Sequence, residues 1–249
     1  MRFINLEEFL DLLFPYNHCL LCGNLIPAQD VAKEIKFCRI CQQKLTGYIC
    51  CPNCAVFVPE AEFHPEAALH HHFCKACLPD AIQGMTAAAP YARNVREALL
   101  RLKYKGKRRV ARPLGQETAK AWLRTGWQAD VILPVPLHEA KLKQRGYNQC
   151  ELLAAECGRI LGLPVLTQAL LRVKETAVQN QLNPTEREQN VSSAFAGGPE
   201  AEQLGGKKLI LLDDIITTGS TMRACAAALQ NFKPAVIYGL AVAGKLMRD

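Results

Sequence analysis

Two adjacent acids, Asp213 and Asp214, separate an apolar run from a turn of hydroxyl residues and glycine in the segment 209–221, LILLDDIITTGST. The apolar run predicts a strand buried on both faces, and open α/β sheets bind ligands at the carboxyl ends of such strands. A helix predicted from Met222 to Gln230 would direct its free N–H groups at the turn, where they attract phosphate. The turn residues of this predicted phosphate loop are Thr217, Thr218, Gly219, Ser220 and Thr221. The segment therefore predicts a sugar-phosphate site.

Acids beside a phosphate would repel it, so Asp213 and Asp214 need a different partner. Ribose hydroxyls are one possibility, and a magnesium ion that bridges to the ligand is the other, since this ion prefers oxygen ligands. A surface turn after a core strand is the alternative without function. The order of strand, acids, hydroxyl turn and helix favours the ligand site.

Nine of the twelve cysteines lie before residue 78, and eight of them form four Cys-x2-Cys pairs. Fifteen residues separate the first pair from the second, and nineteen separate the third from the fourth, which is zinc-ribbon spacing. Two such pairs complete the closed thiolate sphere of a structural zinc ion. The sequence thus predicts two zinc ions with a role in folding. Their ligands would be Cys19, Cys22, Cys38, Cys41, Cys51, Cys54, Cys74 and Cys77.

The pairing of these ligands stays open, because alternate pairs could share a metal in an interleaved arrangement. Disulfides or a redox site are less favoured, since a thioredoxin-like site needs one Cys-x2-Cys pair in a βαβ unit. Cys50 has no place in this scheme. His64 and the histidines at 70–72 could replace a cysteine, but we expect them to be solvated.

The length of 249 residues predicts one or two domains at about 150 residues per domain. We place a boundary after Gly84, in a stretch with Pro79, Pro90 and little periodicity. Residues 1–84 hold 6 Lys and Arg against 9 Asp and Glu, a net charge of −3, whereas residues 85–249 hold 24 against 14, a net of +10. The second domain is therefore expected to bind polyanions.

No signal peptide and no apolar run of the roughly 20 residues that span a membrane are evident. We therefore expect a cytoplasmic protein without membrane insertion, where thiols are reduced and metal is favoured over disulfide. Ahead of the cysteines, apolar residues at helical spacing predict a helix that ends before Pro15 and packs on a ribbon or on the second domain. A membrane-surface helix is the alternative, although its polar face is acidic. The apolar positions are Leu6, Phe9, Leu10 and Leu13.

A basic cluster occupies twelve positions early in the second domain. Its members are Arg101, Lys103, Lys105, Lys107, Arg108, Arg109 and Arg112. Such a cluster is usually a solvated face. The functional alternative is a phosphate-rich ligand or a nucleic-acid backbone, whose phosphates Lys and Arg neutralise without sequence preference. Tyr104 and Tyr147 are candidate stacking partners for bases, which is a weak indication.

The second domain alternates apolar runs with helical stretches, which predicts an α/β fold with a parallel sheet and crossover helices. The first clear strand is 129–135, and its prolines begin a rigid loop at the same edge as the acids. A short strand is expected near Val165. The segment 145–149, RGYNQ, begins a helix on which Cys150 and Cys157 are interpreted as core thiols.

The segment 209–221 resembles, over its whole length, the phosphoribosyl-pyrophosphate (PRPP) motif of type I phosphoribosyltransferases. The resemblance implies that Asp213 and Asp214 hold the ribose 2′- and 3′-hydroxyls and that the loop 217–221 holds the 5′-phosphate. It also implies a pyrophosphate loop at Pro136, Leu137 and His138, although His138 suits a helix cap equally well. Cations that would support the leaving pyrophosphate are Lys103, Lys105 and Arg145.

The polar segment 172–195 contains no long apolar run, and loops of this length are uncommon unless functional. It is similar to the flexible loop that this enzyme class closes over the activated sugar to exclude water. A disordered linker is the alternative.

RGYNQ, the run 176–182, Arg187 with Asn190, and the amino-terminal cysteines resemble the ComF family of competence-associated and GntX-like proteins over nearly the whole chain. The resemblance implies PRPP with magnesium as ligand, structural zinc, and a link to DNA uptake in natural transformation, with competence proteins as partners. Two functions stay open. One is an enzyme that transfers phosphoribose to an unidentified acceptor and releases pyrophosphate. The other is a non-catalytic PRPP sensor or a competence factor that binds single-stranded DNA.

Overall fold

The computed structural model describes residues 19, 24, 26, 38–45, 48–59, 82–104, 106–174 and 194–246. These residues form six α-helices and eight strands, joined by loops and short 3-10 turns. In chain order they are α1 (Arg39–Leu45), β1 (Tyr48–Cys50), β2 (Phe57–Pro59), β3 (Gly84–Pro90), α2 (Arg93–Tyr104), α3 (Ala111–Thr125), β4 (Val131–Pro134), α4 (Glu139–Arg145), α5 (Gln149–Leu161), β5 (Leu170–Arg172), β6 (Phe195–Gly197), β7 (Lys208–Ile216), α6 (Ser220–Leu229) and β8 (Val236–Gly244).

The central element is a parallel sheet of four strands in the order β3-β8-β7-β4. The apolar run Leu209–Leu212 of β7 is fully buried, and Leu212 pairs with Pro134 of β4 on one side and Leu240 of β8 on the other. A parallel sheet needs crossover connections and buries both faces, which explains the continuous apolar runs of these strands. The predicted α/β fold with a parallel sheet is confirmed.

The first strand of this sheet, β3, was not among the predicted strands. Its sequence GMTAAAP contains neither alternation nor large β-branched residues, and such runs carry little strand propensity. The strand forms because it pairs along β8, from Gly84 opposite Tyr238 to Pro90 opposite Gly244. The strand predicted at 129–135 is present as β4, and the strand expected near Val165 is a single bridge to Ile132.

Helices α3 and α5 pack against each other, with α3 over β3 and β8 and α5 over β4 and β7. Gly115 permits the close approach of the two helices, since a Cβ atom there would lie 2.8 Å from Cβ of Glu156. Helix α6 contacts β7 and β6 instead. The parallel sheet is therefore covered by helices, and the connection from β7 to α6 is the predicted phosphate loop.

The cysteine-rich segment lies against the β3 edge of the sheet. The Met85 amide donates to the Pro52 carbonyl at 2.9 Å, and the Phe57 amide donates to the Lys245 carbonyl at 2.8 Å. Cys41 and Phe57 belong to the same buried core as the sheet. The segment thus covers a strand edge that would otherwise expose unpaired backbone groups. Gly84, after which the domain boundary is predicted, is the first residue of β3.

The predicted amino-terminal helix and most of the segment 172–195 lie outside the described residues. The two ends of that segment meet as an antiparallel pair, in which Arg172 of β5 lies opposite Phe195 of β6. Among the described residues, no helix combines the length and the apolar character that crossing a membrane requires.

Candidate functional site

The two acids lie within β7 and not beyond its end. The strand continues to Ile216 because it pairs with β8 as far as Gly244. Successive side chains of a strand point to opposite faces, so Asp213 and Asp214 meet different neighbours. Asp214 is buried at 5% exposure. The predicted placement at the carboxyl end of a buried strand is therefore correct to within three residues.

Asp213 accepts two contacts at the same oxygen. Its Oδ1 atom accepts a hydrogen bond from the Asp214 amide at 2.7 Å and lies 3.4 Å from the Cys150 Sγ atom at the start of α5. Burial, and then the negative charge of Asp214, raise the pKa of the Asp213 carboxyl to about 7. This acid is therefore partly protonated near neutral pH.

Asp214 pairs with a cation from a distant part of the chain. The ammonium group of Lys103, in the last turn of α2, forms an ion pair with Oδ2 of Asp214. Burial alone would lower the pKa of Lys103, but the charge of Asp214 and its hydrogen bond outweigh this and raise the pKa above its ordinary value. Lys103 therefore stays charged, and it is directed at the acids.

The predicted phosphate loop connects β7 to α6 through Gly219, whose φ of +75° lies in the left-handed region that favours glycine. The Thr218 hydroxyl donates to the Ser220 hydroxyl at 3.0 Å, and a guanidinium N–H of Arg223 donates to the Thr218 carbonyl at 2.6 Å. Thr217 and Thr218 are exposed. Exposed hydroxyls, a helix amino terminus and a guanidinium group are all groups that attract anions.

The loop after β4 is joined to the start of α5 by Asn148. The Asn148 side chain donates to the Val135 carbonyl at 3.1 Å and accepts from the Cys150 amide at 2.9 Å, which caps the helix. Pro136 and Leu137 in this loop are half-buried. His138 caps α4, because its Nδ1 atom accepts from the Ala140 amide at 3.3 Å. Capping was one of the roles expected for this histidine.

The remaining predicted cations differ in their surroundings. The Arg145 guanidinium lies 5.1 Å from the centroid of the exposed Tyr104 ring and donates to the Gln149 side chain. Lys105 lies outside the described residues. The suggestion that Tyr147 stacks on bases is wrong, because this residue is buried. Its hydroxyl donates a hydrogen bond to the Leu102 carbonyl, and the Arg108 guanidinium lies 4.6 Å from the centroid of its ring.

Three of the predicted zinc ligands converge. The sulfur atoms of Cys19, Cys38 and Cys41 lie within 4.8 Å of one another, and the Cys38 amide donates to the Cys19 sulfur at 3.3 Å. Cys22, Cys74 and Cys77 lie outside the described residues. The convergence joins the first and second Cys-x2-Cys pairs, as a consecutive pairing requires.

The third pair and the spare cysteine lie nearer the sheet. Cys51 is buried and Cys54 is half-buried, in the turn before β2. The hydroxyl of Thr86 in β3 contacts Cys50 at 3.9 Å, and burial raises the pKa of this thiol to about 11. Cys50 is therefore a neutral packing residue beside the sheet.

Sequence reasoning missed three residues of the site. Cys150 is buried, as a core thiol should be, but it contacts Asp213. Arg223 lies two residues beyond the phosphate loop, and Asn148 ties α5 to β4. Arg223 carried a usable signal, because residues one turn apart on a helix share a face. Nothing in the sequence could reveal that Cys150 meets Asp213, since the contact crosses two elements.

Residues 150–246 match the family model described as a phosphoribosyl transferase domain. This segment contains the acids, the phosphate loop and α6, whereas Lys103 and β4 lie before it. The fold is also similar to a solved structure of the glutamine phosphoribosylpyrophosphate amidotransferase from B. subtilis. The similarity covers 52% of this chain and 25% of the other chain, with 20% sequence identity and a TM-score of 0.36.

Several relatives match most of the chain. Competence protein F of Haemophilus influenzae is 28% identical over 90% of this chain and 96% of its own. The DNA utilization protein YhgH of Salmonella typhimurium is 30% identical over 77% of this chain and 83% of its own. Competence protein ComFC of Bacillus subtilis is 27% identical over 85% of this chain and 88% of its own. The chain thus belongs to the family of competence protein F, ComFC and YhgH, with a phosphoribosyl transferase domain at its carboxyl-terminal side.

Proposed function

We propose that the protein binds PRPP at the carboxyl end of β7 and transfers its phosphoribosyl group to an acceptor. One observation carries the proposal: the adjacent acids of β7 lead into a hydroxyl loop at the amino terminus of α6, within the matched phosphoribosyl transferase domain. In this proposal Asp213 and Asp214 accept hydrogen bonds from the ribose hydroxyls. The loop 217–221 binds the 5′-phosphate with its hydroxyls and free N–H groups, and Arg223 adds positive charge.

The transfer would break the bond between C1 of the ribose and the pyrophosphate oxygen and form a bond between C1 and the acceptor. Charge develops on the sugar and on the leaving group, so the protein contributes position, electrostatic support and exclusion of water. The loop 136–138 lies beside the start of α5, where free backbone N–H groups suit the pyrophosphate. A magnesium ion bound with PRPP would neutralise part of the pyrophosphate charge.

Structural zinc completes the proposal for the first third of the chain. The convergence of Cys19, Cys38 and Cys41 supports a thiolate site for one zinc ion, with Cys22 as the fourth ligand. Cys51, Cys54, Cys74 and Cys77 would form the second site in the same manner. Both ions would stabilise the segment that covers the β3 edge.

Calorimetric titration of PRPP with magnesium into the wild type and the Asp213→Asn, Asp214→Asn double variant tests the site. We expect binding to the wild type and its loss in the variant, because amides do not replace two carboxylate acceptors. A Glu202→Gln, Asp130→Asn double variant makes the same change at exposed acids near the opposite end of β7 and should bind normally. Wild-type protein that is folded and binds no PRPP would refute the proposal.

A non-catalytic PRPP sensor would bind the ligand equally well. Release of pyrophosphate distinguishes the two functions, since a sensor leaves the bond to C1 intact. Incubation of the wild type with PRPP, magnesium and a panel of candidate nucleophiles, followed by pyrophosphate detection, should give turnover with at least one acceptor class. The double variant sets the background of spontaneous hydrolysis.

Binding of single-stranded DNA is a second candidate function. Relatives named competence protein F and DNA utilization protein YhgH support a role of this protein in DNA uptake. The observation that favours it is an exposed basic surface between α2 and α3, where Lys107, Arg108 and Arg112 are exposed. Tyr104 is 71% exposed beside Arg145, which suits an aromatic ring that stacks on a base. The surface therefore offers both phosphate and base contacts.

Salt dependence of binding tests this candidate. We expect the affinity for an unstructured oligonucleotide to fall steeply with salt and to drop when Lys105, Lys107, Arg108 and Arg109 are changed to Gln. A variant that neutralises Arg124, Lys207, Lys208 and Lys233 removes the same charge elsewhere and should lose much less. Equal losses in the two variants, or binding insensitive to salt, would reject a specific DNA surface.

A further inference from the structure

The ion pair of Lys103 with Asp214 joins α2 to the acids that the proposed function assigns to ribose. The side chains of Lys103 and Asp214 are 19% and 7% exposed, so water screens the pair little. A lysine whose role is to bind pyrophosphate would be expected to be exposed to solvent in the protein without ligand. Lys103 is instead directed at a carboxylate, which points to a different role from the one its membership of the basic cluster suggests.

The two acids have unequal partners. Asp214 is paired with the ammonium group, whereas Asp213 contacts the Cys150 thiol and the Asp214 amide. Cys225 on α6 is also close enough to Asp213 to be affected by its charge. Burial, and then the charge of Asp213, raise the pKa of the Cys150 and Cys225 thiols well above the ordinary value. Neutral thiols supply no countercharge. Lys103 is therefore the cation that the described structure places on this pair of carboxylates.

We infer that Lys103 is a positioning residue for the sugar, because its ion pair holds the Asp214 carboxylate in one orientation so that it can accept a ribose hydroxyl. The inference rests on the proposed function and deepens it. An ionised acceptor makes a stronger hydrogen bond than a neutral one. Without the ammonium group, Asp214 would be a buried carboxylate beside a second one, with no cation to orient it.

The test compares two ligands that differ in one group. PRPP carries the pyrophosphate at C1, whereas ribose 5-phosphate has the same hydroxyls and 5′-phosphate without it. If Lys103 acts through Asp214, Lys103→Met should weaken both ligands by the same factor, about tenfold or more, since it removes a buried partner worth at least 1.4 kcal/mol. Lys103→Arg should restore most of the affinity, because it returns the charge. Calorimetry with PRPP and magnesium, and with ribose 5-phosphate without magnesium, gives both factors.

Lys120→Met is the matched control, because it makes the same substitution at an exposed lysine of α3. It should change either affinity by less than about twofold, as expected of an exposed charge. If Lys103→Met does not fold, Lys103→Gln keeps a polar chain of similar length and serves for the same comparison.

Each other outcome rejects the inference in a recognisable way. A loss for PRPP with ribose 5-phosphate unchanged would show that Lys103 binds the pyrophosphate directly. Unchanged affinity for both ligands would show that the ion pair plays no part in sugar binding. Wild-type protein that binds neither ligand would instead refute the proposed function, and the inference with it.

Discussion

The Cys150 thiol lies 3.4 Å from Oδ1 of Asp213, although 63 positions separate the two residues in the chain. Burial, and then the charges of Asp213 and Asp214, raise the pKa of this thiol well above its ordinary value. The S–H group therefore stays protonated and donates to the carboxylate. A cysteine at the centre of the site is thus a neutral hydrogen-bond donor and not a nucleophile.

This environment predicts that Cys150 resists alkylation in the folded protein. Iodoacetamide at pH 7.5 should leave Cys150 unmodified and should modify it readily after denaturation, because the thiolate is the reactive form and burial opposes it. Mass spectrometry of the proteolytic peptides measures each site separately. Cys157, a second buried thiol on α5, is the internal control and should behave in the same way. Alkylation of native Cys150 at the rate of the denatured protein would contradict the prediction.

The raised pKa of Asp213 predicts a pH-dependent stability. The folded pKa is about 7, whereas an unfolded aspartate titrates near 3.9. Between these values the folded state holds a proton that the unfolded state lacks. The contribution of this carboxyl to the free energy of unfolding is therefore fully present below about pH 4. It is lost as the pH rises to about 7, at up to ~1.4 kcal/mol per pH unit.

Asp213→Asn removes this titration, so the variant should gain stability relative to the wild type on going from pH 4.5 to pH 8. Urea unfolding at the two pH values measures the difference. Glu202→Gln, at an exposed acid, should show almost no such change. A difference between Asp213→Asn and the wild type that does not depend on pH would mean that Asp213 is ionised throughout.

Gly219→Ala should weaken PRPP binding and destabilise the protein by about 1–2 kcal/mol, because φ is +75° at this position. The added Cβ atom would also lie 3.1 Å from a guanidinium nitrogen of Arg223, which must shift by a few tenths of an ångström. Gly126→Ala is a close control, since its φ is +70° and its Cβ atom would meet nothing within 4 Å. It should lose similar stability in thermal unfolding and keep PRPP affinity in calorimetry. Equal PRPP affinity in the two variants would show that the loop is not part of the binding site.

Loss of one zinc ligand should lower the metal content of the purified protein. Cys41→Ser should reduce bound zinc by one equivalent in elemental analysis, because its sulfur converges with those of Cys19 and Cys38. Cys157→Ser changes an equally buried thiol that donates to the Gly115 carbonyl, and it should leave the zinc content unchanged. Zinc content that is the same in Cys41→Ser and the wild type would show that these sulfur atoms hold no metal.

The chemical order of the site could be predicted from the sequence because it is local. A buried strand, two acids, a hydroxyl turn and a helix follow one another within 209–230, and each is defined by neighbouring residue types. The parallel sheet was predictable for the same reason, since strands buried on both faces have continuous apolar runs. Strand β3 was not, because its alanines form a strand through pairing with β8 and not through their own propensity.

The partners of the acids were decided by the tertiary structure. The sequence shows Lys103 as one member of a basic cluster and Cys150 as a core thiol, whereas the fold places one beside Asp214 and the other beside Asp213. It also buries Tyr147, which composition alone left available to a base. Residue types and short spacings thus determined which chemistry the chain can perform. Charge state and orientation depend on burial and on contacts between distant segments, which exist once the helices have packed on the sheet.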